Sequence, residues 1–276
     1  MRKSLAIGLV LGVALLIVGV TTGAAAQPHV QICLRANQLG PGCFPDRLEF
    51  DAGGSVAPKR LPRREPAPIA LEAHGEISTT NGGHPSALHE AIVEVDNVHI
   101  DVAGLPACPR RQLEGRGVAA ARRLCREAIV GSGMAHVGFA IGEGSVVAPL
   151  TFFNGGSQNG VTRLFVHSAI AAPESVPVIS TVRISRVTKS PYGWSATWRI
   201  PKLLDGSASV RDFEFTIERL FFSKGARHSY IAARCVNEEL RASVKKVLFR
   251  NDARTPGVAA QTVLKGGLAF PCAPRP

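Results

Sequence analysis

The chain has 276 residues, 32 Lys and Arg against 21 Asp and Glu, a formal net charge of +11 and six cysteines. This length suits one large domain, or one domain with appendages. No C-x-x-C pair occurs among the cysteines, which argues against a zinc or thiol-redox centre.

Residues 1–26 read as a signal peptide. Arg2 and Lys3 form a positive n-region, Leu5 to Val20 is an apolar run without charge, and Ala24-Ala25-Ala26 supplies a small-residue cleavage pattern ahead of Gln27. A retained anchor would just span a bilayer, but the glycines and the Ala-rich end favour cleavage. No Cys stands at the cleavage point and no twin-Arg pair precedes the apolar run, so export unfolded and without lipid is the expectation. Cleavage removes two of the 32 basic residues and leaves 30 against 21 acidic ones. A basic exported protein is drawn to anionic surfaces such as wall polymers, although an Arg-, Ala-, Gly- and Pro-rich composition also follows from a high-GC genome.

All six cysteines follow the leader, and an even count in an exported chain favours disulfides. Their order predicts three local pairs: Cys33 with Cys43, Cys108 with Cys125, and Cys235 with Cys272. The first would staple a short irregular segment, contributing roughly 2–3 kcal/mol. Residues 51–68 hold Gly53, Gly54, Pro58, Pro62, Pro66 and Pro68 with Lys59-Arg60 and Arg63-Arg64. They read as a Pro/Arg-rich linker. The expected organisation is therefore a signal peptide (1–26), a disulfide loop and linker (27–68), and a β-rich domain (69–276).

Ile69 to Ser78 reads as the first long strand. In Ala91 to Val102, Val93 and Val95 alternate with Glu94 and Asp96, Asp96-Asn97 marks a tight turn, and Val98, Ile100 and Val102 resume the alternation. This is a hairpin signature. The one helix is expected between Pro109 and Ala128, with Val118, Ala121, Leu124, Cys125 and Ala128 at helical spacing and Gly131-Ser132-Gly133 as its stop. Its polar side carries Arg122, Arg123 and Arg126, with Arg110, Arg111 and Arg116 nearby.

From Met134 onward the chain reads as β. Candidate strands are 134–141, 146–153, 161–170, 176–187, 193–200, 210–220, 229–235, 240–249 and 261–272. Turn sequences such as 154–160, Asp205-Gly206 and Lys224-Gly225 lie between them. The clearest stretch is Trp194, Ala196, Trp198 and Ile200 alternating with Ser195, Thr197 and Arg199, which puts both tryptophans of the protein on one sheet face. Phe213, Phe215 and Ile217 repeat the pattern. The fold class that follows is mainly β, an antiparallel sandwich or barrel-like domain with one short disulfide-tethered helix.

Segments 61–77, 113–133, 150–156 and 200–217 ("LPRREPAPIALEAHGEI", "LEGRGVAAARRLCREAIVGSG", "LTFFNGG", "IPKLLDGSASVRDFEFTI") resemble a group of exported proteins from high-GC actinobacteria. The resemblance implies source and export. It implies no activity and no site residues.

Hydrolase signals are broken. Gly155-Gly156-Ser157-Gln158-Asn159 ends in Asn where a nucleophile elbow requires Gly. His89-Glu90 begins like a zincin motif, but position 93 is Val. His84, His89, Glu90, Glu94, Asp96, His99 and Asp101 could converge on a divalent cation, but solvated strand faces explain them better. The Trp194/Trp198 face reads as core rather than as an exposed platform for sugars or lipid. Phe152-Phe153 and Phe221-Phe222 each split their rings between two faces, so one ring of each pair should emerge near a loop. The Arg-rich helix edge suits phosphate or carboxylate, but without interleaved aromatics it is not a base-reading surface, and no nucleic-acid partner is expected.

The functional expectation is an exported, non-enzymatic extracellular or cell-envelope β-protein. It would need no cofactor, touch the membrane only through its export signal, and bind an apolar ligand, a glycan or an anionic envelope polymer. The alternatives are a secreted hydrolase with a non-standard His/carboxylate site, and a purely structural envelope protein. A barrel with space in its lumen would favour the ligand reading over the structural one.

Overall fold

Residues that alternate between apolar and polar bury every second side chain when they pair as strands. From Leu48 on, the chain uses this rule to build one large antiparallel sheet. The computed structural model describes residues 29–33, 48–79, 82–140, 144–171, 175–250 and 261–275, with backbone alone for 29–33 and 261–264. The strands are β1 (His29–Cys33), β2 (Leu48–Ala57), β3 (Ala70–Thr79), β4 (Ala87–Val95), β5 (Ile129–Phe139), β6 (Ser145–Gln158), β7 (Val161–Ala171), β8 (Ser175–Arg186), β9 (Trp194–Arg199), β10 (Ala208–Ile217), β11 (Glu239–Arg250) and β12 (Gln261–Pro271). Their spatial order is β1-β2-β3-β10-β5-β6-β7-β8-β9-β4-β11-β12. β12 runs beside β1 and β2, so the sheet is nearly closed and barrel-like.

β5 to β9 form an unbroken meander. Its tightest turn is Asn159-Gly160, where both residues have positive φ, 53° and 73°, between Gln158 and its partner Val161. That is the two-residue geometry whose twist matches the flanking strands. The longer turn expected over 154–160 shrinks to these two residues, because 154–158 continue β6.

Three further expectations are corrected. The stretch read as a linker holds a sheet strand: β2 pairs with β3 from Leu48–Thr79 to Ala57–Ala70, and Arg60–Pro62 pairs in parallel with Ala273–Arg275. Gly131 and Gly133 do not end the helix but lie within β5. A β-carbon on Gly133 would collide with the Glu214 carbonyl and stand 2.6 Å from the Phe215 Cα, so glycine here permits close strand approach. The hairpin expected at 91–102 does not form. Both edges of β4 are already taken by β9 and β11, so after Asn97 (φ 56°) the chain leaves the barrel wall and Val98–Ile100 pairs with Ile231–Ala233.

That pairing, completed by Ala67–Pro68, makes a three-stranded lid over one end of the barrel. Cys235–Cys272 ties the lid to the end of β12. Cys108–Cys125 ties down the segment carrying α1 (Val118–Leu124). Both pairs match the expected connectivity and mark an oxidising compartment. Cys43 and the Cys33 side chain lie outside the described residues. Among the described residues, no helix is long and apolar enough to cross a membrane.

The α1 segment packs outside the barrel over Phe153 and Phe165, with Ala121, Cys125 and Ala128 facing them. Leu124, assigned to the apolar side from spacing, is 54% exposed. Neither ring of the Phe152-Phe153 pair emerges, Phe153 being fully buried under this segment, whereas in the second pair Phe222 does emerge, at 79% exposure. Asn154 pins the segment before the helix, donating to the Leu105 and Pro106 carbonyls at 3.3 and 3.0 Å. Beneath it lies His167, fully buried, its Nε2 2.9 Å from the Arg116 carbonyl.

Burial pushes the His167 imidazole below its ordinary value of 6.5, and the backbone carbonyls of Arg116 and Leu113 only partly offset this. The unfolded chain therefore binds this proton more readily than the folded one. Stability should be full above pH 6.5 and decline as pH falls below it, by at most about 1.4 kcal/mol per pH unit for one group. His89 is shifted in the same direction, chiefly by burial, and adds to the slope. Urea denaturation between pH 7 and pH 5 should show the decline, and His167→Gln should flatten it. An equal slope in the variant would remove His167 from this role.

Candidate functional site: the barrel lumen

Phe152, Trp198, Phe213 and Phe215 reach inward from β6, β9 and β10 and meet across the lumen. Phe152 and Phe215 have ring centroids 4.9 Å apart, Phe213 and Phe215 stack at 5.9 Å, and Trp198 stands edge-on to Phe213 and Phe215 at 6.1 and 6.0 Å. Each ring is placed by period-2 alternation on its strand. Gly75 on β3 makes room for one of them: a β-carbon there would lie 2.6 Å from the Phe213 ring. The Trp198 indole is fixed by its N–H, which donates to Ser180 Oγ at 2.7 Å.

The belt of rings leaves space on both sides. A cavity of about 60 Å³ is lined by Leu150, Val166, Ile170, Ile200 and Leu203 among others. A larger one, about 280 Å³, reaches the lid and is walled by Val56, Leu71, Val93, Val182, Ile184 and Ala242, with Ile69, Val98, Ile100 and Ile231 of the lid region. Trp198 and Phe213 border both. The lining is almost entirely carbon. On the residues lining the larger cavity, two polar atoms lack a partner among the described residues: the Trp194 indole N–H and the Tyr230 hydroxyl. Tyr230 is 1% exposed, and burial pushes its hydroxyl far above the ordinary phenol range. It therefore stays protonated.

The His/carboxylate set is not brought together. His84 meets Ser209 at 3.2 Å. Burial raises the Glu90 carboxyl, but hydrogen bonds from Arg199 and Lys246 at 2.9 and 3.1 Å outweigh it and hold the pKa below its ordinary value. Glu94 accepts from Ser190 at 2.7 Å, Asp96 from the Asn97 backbone at 2.7 Å, and Asp101 pairs with His228 at 2.9 Å. His99 stands in the lid opposite Ala232. Among the described residues, no three His, Cys, Asp or Glu side chains are placed to hold a metal.

Trp194 and Trp198 both join the core, and Phe213 and Phe215 had a legible alternation. Tyr230 reads in the sequence only as one residue of a strand over 229–235; in the structure it is a single-residue joint between strands ending at Ser229 and starting at Ile231. Compared with family models, curated proteins and solved structures, the chain finds no match.

Removing the Trp198 side chain should merge the two cavities. Trp198→Ala should cost about 3–5 kcal/mol in chemical denaturation, while Trp198→Phe should cost less and keep the partition. Equal losses would mean that the ring does not act as the dividing wall.

Proposed function

We propose that this is an exported, non-enzymatic protein that carries an apolar ligand in its barrel. The observation that supports this reading is the 280 Å³ carbon-lined cavity beneath the lid. A cavity of roughly 150 Å³ accommodates benzene, so this one is sized for two fused rings or a medium-length chain. The leader-like residues 1–26 and the two disulfides support action outside the cytoplasm, in the medium or the cell envelope. The resemblance to exported actinobacterial proteins agrees with that placement.

Native mass spectrometry of protein purified gently from a secretion host should find a reproducible mass excess over the three-disulfide mature chain. A bare mass, together with no uptake of a neutral fluorescent probe such as N-phenyl-1-naphthylamine, would overturn the ligand reading in favour of a structural envelope protein.

A second feature favours attachment to an anionic envelope polymer. Arg163 and Arg183 stand directly opposite each other on β7 and β8, an arrangement that is unfavourable without a counter-charge. Among the described residues, neither forms a salt bridge with a carboxylate. Retention on isolated envelopes should fall at high salt and in the Arg163→Gln, Arg183→Gln double variant. Unchanged retention in both would remove the polymer as a partner.

A further inference from the structure

Trp194 and Tyr230 are the polar exceptions in the larger cavity. Both sit toward its lid end: Trp194 opens β9 beside Val95, and Tyr230 directly precedes the lid segment Ile231–Ala233. Their indole N–H and hydroxyl are buried without a partner among the described residues. A buried donor left unpaired is costly, and native proteins rarely keep one without a reason. Phenylalanine at either position would supply apolar bulk without that cost. Trp198 shows the ordinary solution in the same lumen, with its N–H satisfied by Ser180.

We propose that the cavity takes a lipophilic molecule of the ketone, aldehyde or ester class, whose carbonyl oxygen lies at the lid end and accepts hydrogen bonds from the Trp194 N–H and the Tyr230 hydroxyl. This rests on the reading of the lumen as a ligand site and names the ligand's chemistry. The ligand group must be an acceptor, because an indole N–H can only donate. It is neutral, because among the described residues no cation faces it from inside. The charged residues bordering the cavity are engaged elsewhere: Glu72 by Ser55 at 2.8 Å, Asp96 by Asn97 at 2.7 Å and Arg241 by Glu239 at 2.6 Å. His74 alternates with Leu71 and Ala73 on β3 and so belongs to the outer face. Arg186 lies over the Trp194 ring at 4.4 Å, but its side chain is solvent-exposed. A carboxylate carried into the lumen would be buried without a counter-ion, at heavy cost.

The test uses the full mature chain and displacement of N-phenyl-1-naphthylamine by 2-undecanone, undecane and undecanoate. The ketone should displace the probe at roughly one-tenth the concentration that undecane requires. Tyr230→Phe and Trp194→Phe should each bring that ratio toward unity while leaving undecane unchanged, with circular dichroism confirming the fold. Equal potency of ketone and alkane on the wild-type protein would overturn the carbonyl assignment and leave the apolar cavity standing, and this arm does not depend on any variant folding. Undecanoate binding more tightly than the ketone would overturn the neutral head group. Failure of the probe and all three compounds to bind would instead overturn the ligand reading itself.

Discussion

A sheet that curls nearly closed has to do something with the space it encloses. Barrel width grows with strand number, and about eight strands give a lumen that side chains alone can fill. The sheet here has twelve strands. The chain fills part of the excess with its largest residues, Phe152, Trp198, Phe213 and Phe215, packed ring against ring. That solution explains glycines that would otherwise look like strand breakers. Gly75 lets the Phe213 ring lie across β3, and Gly133 lets β5 approach the backbone at Phe215. The rings still do not fill the barrel, and the remainder is apolar space. Such space without an occupant forfeits dispersion contacts on every wall. The cavity is thus a consequence of circumference, and its position follows from where the rings stop.

One end of the barrel and part of its outer wall are covered by elements with little core of their own, and the two described disulfides serve those elements. The lid has strands of two and three residues, too short to hold without help. Cys235–Cys272 joins it to β12, and the buried face of Ile69, Ile100 and Ile231 becomes the cavity ceiling. The α1 segment, seven residues long, is likewise shorter than a helix stable alone. Cys108–Cys125, Asn154 and His167 hold it over Phe153. Sheet strands are fixed by their neighbours, and appended pieces are fixed by covalent bonds and buried polar groups.

Much of this was legible in the sequence wherever period-2 alternation was uninterrupted. Trp194 to Ile200 and Phe213 to Ile217 gave strand, face and core membership together, and cysteine order gave two pairings that the structure contains. Legibility failed where a residue's meaning depended on its neighbours in space. Gly131 and Gly133 look like a stop signal until the strand beside them is known. Val98 to Val102 look like the return arm of a hairpin until β4 proves to have no free edge. Proline and glycine between 51 and 68 suggest a linker, yet Gly53 and Gly54 pair within β2 and the prolines fall at its end and beyond. Tyr230 reads as one residue of a strand over 229–235, and its place at the break between two strands has no period to announce it.

The separation of polarity across the wall explains why the charged residues that drew most attention in the sequence carry the least chemistry. Glu90 and Glu94 are each 9% exposed, but at outward positions of β4, where Arg199, Lys246 and Lys245 reach them from neighbouring strands. A buried carboxylate is tolerable only with such partners, so these side chains are committed to holding the wall. The lumen has the opposite character. With carbon on nearly every side, water competes poorly there for a hydrogen bond, and a single donor discriminates more strongly than it could on the surface. Selectivity for the proposed ligand would therefore need no array of polar contacts. On the proposed reading, two donors at one end of an apolar space would orient a guest, and the surrounding carbon would give them their weight.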